Sequence, residues 1–165
     1  MGRTFESPTG SVWPLFLTAH AVLVEQIEAR LAAVGLPPLA WYDVLWALER
    51  AAGRRLRMSE LAGHVVLSRS NLTRLVDRLE EAGAVARERS ETDRRGAYAV
   101  ITPAGRELRR SMWPTYEAAI KALFESQLGE AEALHMAAFL SRILSAARSR
   151  PSTAASPSAT AKRSR

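Results

Sequence analysis

The chain has 165 residues, 47% hydrophobic and 24% charged, with a net charge of +6 and no cysteine. Without cysteine there is no disulfide framework, thiolate metal site or thiol-based redox sensor, and no apolar run approaches the roughly 20 residues that cross a bilayer. The opening MGRTFESPTG lacks the apolar segment of a secretory signal, so a cytoplasmic protein is expected, with one domain of roughly 145 residues and a tail.

Residues 11–34 place Val12, Leu15, Phe16, Ala19, Val22, Leu23, Ile27, Leu31 and Val34 at helical spacing. Pro14 fits the first turn, and Gly35 with Pro37-Pro38 ends the helix. A second helix over 41–50 turns Val44, Leu45 and Leu48 inward, and AAGRRLR leads away from it. Next comes a short pattern over 58–66 carried by Leu61 and Val65, with Ser59 as its expected N-cap.

Over 68–82, Leu72, Leu75, Val76 and Leu79 form one buried stripe at i, i+3, i+4, i+7. At about 100° per residue the opposite side carries Ser70, Thr73, Arg74 and Asp77, flanked by Asn71 and Arg78. Ser68 suits the N-cap and Gly83 the left-handed position after the helix. Two short helices joined by a tight turn fit a helix-turn-helix, whose second helix reads base edges.

Residues 85–90 and 97–102 read as strands with ETDRRG between them. The fold class expected is therefore mainly α with a small β-hairpin, a winged helix-turn-helix over about 54–105 whose hairpin reaches the minor groove. Beyond it, 104–127 reads as a long helix that Pro114 should kink. A last helix over 130–147 has an apolar stripe too broad for one chain to cover. The first helix and the last two (11–34 and 104–149) are read as a dimerisation unit around the winged helix. Residues 1–10 are an extension, and 150–165, rich in Ser, Ala and Pro, read as a disordered basic tail. Two readings of the tail stand: added attraction to DNA, or no role.

The run L-T-R-L-V-D-R-L-E-x-x-G-x-V-x-R (Leu72 to Arg87), then D-R-R-G (Asp93 to Gly96) and I-T-P-A-G (Ile101 to Gly105), resembles the MarR family of bacterial transcription regulators. The resemblance extends more loosely over residues 11–149. It implies an obligate homodimer on a palindromic operator in double-stranded DNA. Arg74 and its neighbours would lie in the major groove, Arg95 in the minor groove, with Asp93 orienting that arginine. The DNA-contacting set expected is Ser68, Ser70, Asn71, Thr73, Arg74, Arg78, Asp93, Arg94 and Arg95.

Charge segregation agrees with a phosphate-facing surface. Residues 54–110 hold 13 basic against 8 acidic side chains, and 148–165 hold 5 against none, while the remaining segments are net acidic. A solvated charged face is the plain alternative. It explains Glu80 and Glu81 better than the arginines of the wing.

His20, His64 and His135 lie in separate helices without metal-ligand spacing, and no nucleophile elbow, phosphate loop or dinucleotide fingerprint occurs. No metal, cofactor or enzymatic activity is expected. Four tryptophans are many for this length, and two readings of them stand: packing, or a pocket near Trp13, His20 and Trp46 for a small aromatic or phenolic effector, as the family often has. The functional expectation is a sequence-specific DNA-binding regulator, a repressor released by such a ligand. Its rival is a winged-helix protein-interaction module without sequence-specific DNA contact.

Overall fold

The computed structural model describes residues 8–65, 69–89 and 97–149. Six helices and three strands occur in the order α1 (Pro8–Ala33), α2 (Leu39–Arg50), β1 (Arg55–Arg57), α3 (Met58–His64), α4 (Arg69–Glu81), β2 (Val85–Arg89), β3 (Ala97–Ile101), α5 (Pro103–Leu123) and α6 (Glu130–Ser149). The chain divides into two compact units, residues 1–126 and 127–165.

The expected stripe of α4 is the heart of the first unit. Leu72, Leu75, Val76 and Leu79 are all buried, in one core with Val44, Leu45 and Leu48 of α2, Leu61 of α3, Ala84 and Val85, and Ala99 and Ile101 of β3. Each large side chain so buried contributes about 1.5–3 kcal/mol. A second core joins Ile27 and Leu31 of α1 to Leu39 and Tyr42 of α2 and to Met112 and Ala119 of α5.

The sheet has the order β1-β3-β2, antiparallel throughout. Strands β2 and β3 pair from Val85↔Ile101 to Arg89↔Ala97, as the wing reading expected. Strand β1 was not expected: Arg55, Leu56 and Arg57 pair with Val100, Ala99 and Tyr98. Three residues carry too little alternation to announce a strand, and their partners lie some 40 positions away.

Two glycines fix how α4, β2 and α5 meet. Gly83 follows α4 at φ +70°, and the Ala84 N–H closes back on the Leu79 carbonyl at 2.8 Å, ending the helix in the left-handed conformation that glycine adopts without strain. Gly105, in the first turn of α5, lies so close to Ala84 that a Cβ would collide with the Ala84 carbonyl oxygen. Thr102 locks the same junction. Its hydroxyl donates to the Gly83 carbonyl at 2.7 Å and accepts from the Gly105 N–H at 3.0 Å, while its own N–H donates to the Ala84 carbonyl at 3.1 Å. The I-T-P-A-G run is thus a structural clasp, with Thr102 as N-cap and Pro103 in the first turn.

Helix boundaries differ from the expectations in three places. α1 begins at Pro8, inside the stretch taken as an extension. The cap of α3 is Arg57, whose N–H donates to the Glu60 carboxylate at 3.0 Å, so Ser59 lies inside the helix. α5 continues through Pro114 to Leu123, with a short 3-10 turn at Glu125–Gln127 beyond it.

The outer helices contrast with the packed cores. Every side chain of α1 from Ser11 to Val22 is exposed, including Val12, Trp13, Leu15, Phe16 and Leu17. In the second unit α6 exposes Leu134, Met136, Phe139, Ile143 and Leu144. No described helix is long and apolar enough to cross a membrane.

Candidate nucleic-acid interface

With one face of α4 buried, the other is presented outward. Asn71, Thr73, Arg74 and Arg78 are exposed and Asp77 is half-buried. Asn71, Arg74, Asp77 and Arg78, with Leu75 and Ala40, border a groove of about 630 Å³ along the helix. Asp77, three residues from Arg74 on the same helix and so a possible internal partner for it, is engaged elsewhere. Asp77 pairs with Arg87 of β2, and the Arg87 guanidinium also lies 3.5 Å from Glu80. The acidic residues of the R-L-V-D-R-L-E run therefore fasten α4 to the wing strand. Among the described residues Arg74 and Arg78 make no ion pair, so their charges stay available to a phosphate or a base edge.

Of the other expected contacts, Ser70 stands in the first turn of α4 with its side chain outside the described set, and Ser68 lies outside the described residues. So do Asp93, Arg94 and Arg95, which lie in sequence between Arg89 and Ala97. On the sheet, Tyr98 carries two guanidinium groups over its ring, Arg55 at 5.0 Å and Arg57 at 5.3 Å, and its hydroxyl accepts from Arg57 Nε at 3.1 Å.

A second feature lies between α2 and α5. Tyr42, Trp46 and Glu49 share one face of α2, and Arg109, Trp113, Tyr116 and Ile120 share one face of α5. Tyr42 stacks on Trp46 and Trp113 at centroid separations of 6.3 and 6.0 Å, while Tyr116 meets Tyr42 edge-on at 4.9 Å. These rings, with Asp43, Arg109 and Ile120, line a cavity of about 520 Å³. Burial pushes the Tyr42 hydroxyl up from its ordinary range, against the lowering effect of Arg109. Burial raises the Tyr116 hydroxyl too, and the Asp43 charge adds to the shift. The Asp43 carboxyl is raised by burial alone.

Of the expected effector residues Trp46 lines this cavity and Trp13 and His20 do not; both stand exposed on α1. Tyr42, Asp43, Arg109 and Tyr116 were not singled out from sequence, and Trp113 counted only as one of the four tryptophans. The i, i+4, i+7 spacing of Arg109, Trp113 and Tyr116 was the available signal. Among the described residues no group of three or more His, Asp or Glu side chains could hold a metal.

Helix, helix, and a three-stranded sheet beside an outward-facing second helix define a winged helix-turn-helix. A MarR family profile matches residues 34–96. Among solved structures, AbsC, a MarR family transcriptional regulator from Streptomyces coelicolor, superposes with a TM-score of 0.78 at 31% identity, covering 89% of this chain and 99% of AbsC. Sco3205, a MarR family regulator of the same organism solved in complex with DNA, gives 0.79 at 28% identity, covering 92% and 94%. The transcriptional repressor MprA of Escherichia coli K12 is 30% identical over 100 residues, 61% of this chain; the match spans 56% of MprA's own length. The chain belongs to the MarR family.

Proposed function

We propose that the protein is a cytoplasmic, homodimeric repressor that binds a palindromic operator in double-stranded DNA and is released by a small organic effector. The observation that carries this reading is the division of α4. One face is sealed into the core by Leu72, Leu75, Val76 and Leu79, and the other presents Asn71, Thr73, Arg74 and Arg78. Such a helix enters a major groove on a rigid footing, with arginine as the main reader of guanine. The crystallised DNA complex of a relative supports the same reading. Beyond the Arg89↔Ala97 pair, Arg94 and Arg95 supply cations for the minor groove, with Asp93 presetting the direction of Arg95.

A second copy of the chain would cover the apolar side chains exposed on α1 and α6, since permanent interfaces are large and apolar. In that dimer the two α4 helices would span successive major grooves about 34 Å apart. The aromatic cavity between α2 and α5 gives an effector a place to alter that spacing.

The test is a titration of two duplexes at several salt concentrations, one a palindrome selected from genomic fragments by binding and one its scrambled counterpart. The selected duplex should bind about a thousandfold more tightly, and both affinities should fall linearly on a log–log plot against salt. Equal affinity for both duplexes at every salt concentration would leave a winged-helix interaction module as the better account.

A further inference from the structure

The cavity between α2 and α5 contains one charge that is balanced and one that is not. Arg109 is balanced: its Nε donates to the Glu49 carboxylate and another of its nitrogens lies 3.4 Å from the Tyr42 hydroxyl. Asp43 is half-buried in the same lining, and among the described residues it makes no hydrogen bond or ion pair. Arg50 and His64 border a second groove with Asp43, and among the described residues neither forms an ion pair with it. Tyr42 and Tyr116 are neutral hydroxyls that its charge pushes further from ionisation, and the Arg109 cation is held by Glu49.

The walls are of the kind that holds cations. Guanidinium groups lie over the Trp46 ring at 5.3 Å (Arg50) and 5.0 Å (Arg109), so this indole already carries cation contacts. The Trp113 indole, 40% exposed, has no such partner among the described residues and stands at 6.0 Å from the Tyr116 ring. Aromatic faces attract a cation through the ring quadrupole, most strongly for tryptophan. A lone carboxylate makes a poor metal site, and an anionic ligand would face Asp43 in a lining whose one guanidinium, Arg109, is paired with Glu49, while the Arg50 guanidinium lies over Trp46 outside that lining.

We propose that this cavity is a receptor for an organic cation, an aromatic amine or quaternary ammonium, whose apolar body lies against Trp113 and Tyr116 and whose charge faces Asp43. The volume of about 520 Å³ is in the range of small-molecule sites. The inference names the chemical class of the effector and rests on the reading of the chain as an effector-responsive regulator. It departs from the aromatic acid or phenol that the family resemblance suggests, because the charge left over in this lining is negative.

Calorimetric titration of the full chain with three probes of similar shape tests it: phenyltrimethylammonium, its neutral isostere tert-butylbenzene, and benzoate. The ammonium should bind saturably and about tenfold or more tightly than either of the others. Asp43→Asn should abolish that preference while retaining tert-butylbenzene, which shows that the cavity is intact, and Trp113→Leu should weaken the ammonium several-fold. Tighter binding of benzoate, an ammonium affinity unchanged in Asp43→Asn, or no saturable binding by any probe would each overturn the proposal. The DNA titration is independent of it. A chain that binds its operator but none of the probes loses this inference alone, and one that binds the ammonium but no DNA loses the regulator reading alone.

Discussion

The winged-helix portion and the outer helices both carry apolar stripes at helical spacing, and the stripes meet opposite fates. In the former, the stripes of α2, α3 and α4 close on one another and on β3, leaving Leu48, Leu61, Val76 and Leu79 without accessible surface. In α1 and α6, Leu15 and Leu134 are each 67% exposed. A stripe at helical spacing therefore means two things in one chain: a core that the protein completes itself, and a face suited to a second copy. If that division is right, mutations in the two regions should fail differently, the first as unfolding and the second as loss of assembly.

The largest effect should come from removing 130–165. It takes away the apolar face of α6, so we expect loss of the dimer and of operator binding, with the compact winged portion still showing cooperative thermal unfolding. Sedimentation, a DNA titration and a thermal melt check the three statements separately. A DNA-competent monomer would collapse the distinction between the two regions.

Next in size is Gly105→Ala, which probes the closed region. Its methyl meets the Ala84 carbonyl oxygen and can be accommodated only by opening the clasp that Thr102 makes with Gly83 and Gly105. A cost of about 2–4 kcal/mol in denaturant unfolding is expected, of the order of a badly overpacked core site. Thr102→Val removes the two hydroxyl hydrogen bonds with little change of shape and should cost about 1–2 kcal/mol.

The two faces of α4 repeat the comparison on a smaller scale. Arg74→Ala should weaken operator binding by about 1–3 kcal/mol and relax base preference, with the thermal midpoint nearly unchanged. Arg87→Ala should act in the reverse order. It strips Asp77 and Glu80 of their partner and loosens α4 from β2, lowering stability by about 1 kcal/mol or less, since the pair is partly exposed, and affecting DNA mainly through that loosening. At the wing, Arg95→Ala should weaken operator binding and reduce the salt slope by about one counterion per wing. Asp93→Ala should also weaken binding although it removes a negative charge. Tighter binding in Asp93→Ala would reduce the wing to a patch of charge.

What could be read from the sequence follows the range of the interactions. The stripe of α4, the stop at Gly83 and the paired strands of the wing are local patterns of period 3.6 or 2, and all three are present in the structure. The partners of Asp77 and Arg109 were not legible, because Arg87 lies across a turn and Glu49 lies 60 positions away. Pro114 was expected within a long helix, and α5 spans it from Pro103 to Leu123, with Met112 and Ala119 on either side buried in the second core. The aromatic cavity combines both limits. Trp46 was visible as an excess tryptophan, but its companions become neighbours only when α2 packs on α5, and Trp13 and His20 lie on the exposed stretch of α1.

The smallest expected effect concerns Asp43, which is half-buried and, among the described residues, carries a charge with no ion-pair partner. Burial raises its folded-state pKa above that of the unfolded chain, so the folded state holds its proton more firmly. Stability from this group is therefore greatest below the ordinary carboxylate range and falls as pH rises toward the elevated folded value; above that value the full cost of the buried charge remains. Asp43→Asn carries no such cost. Its thermal midpoint should exceed that of the unaltered chain at pH 7, and the difference should shrink to nothing as pH falls through the carboxylate range, where both side chains are neutral. Other carboxylates titrate in the same window, but they do so in both proteins and cancel in the difference. Adding phenyltrimethylammonium at pH 7 sharpens the point. A cation beside Asp43 offsets the cost, so the ligand should raise the midpoint of the unaltered chain more than that of Asp43→Asn. A pH-independent difference between the two proteins would mean that Asp43 is held by contacts other than its charge.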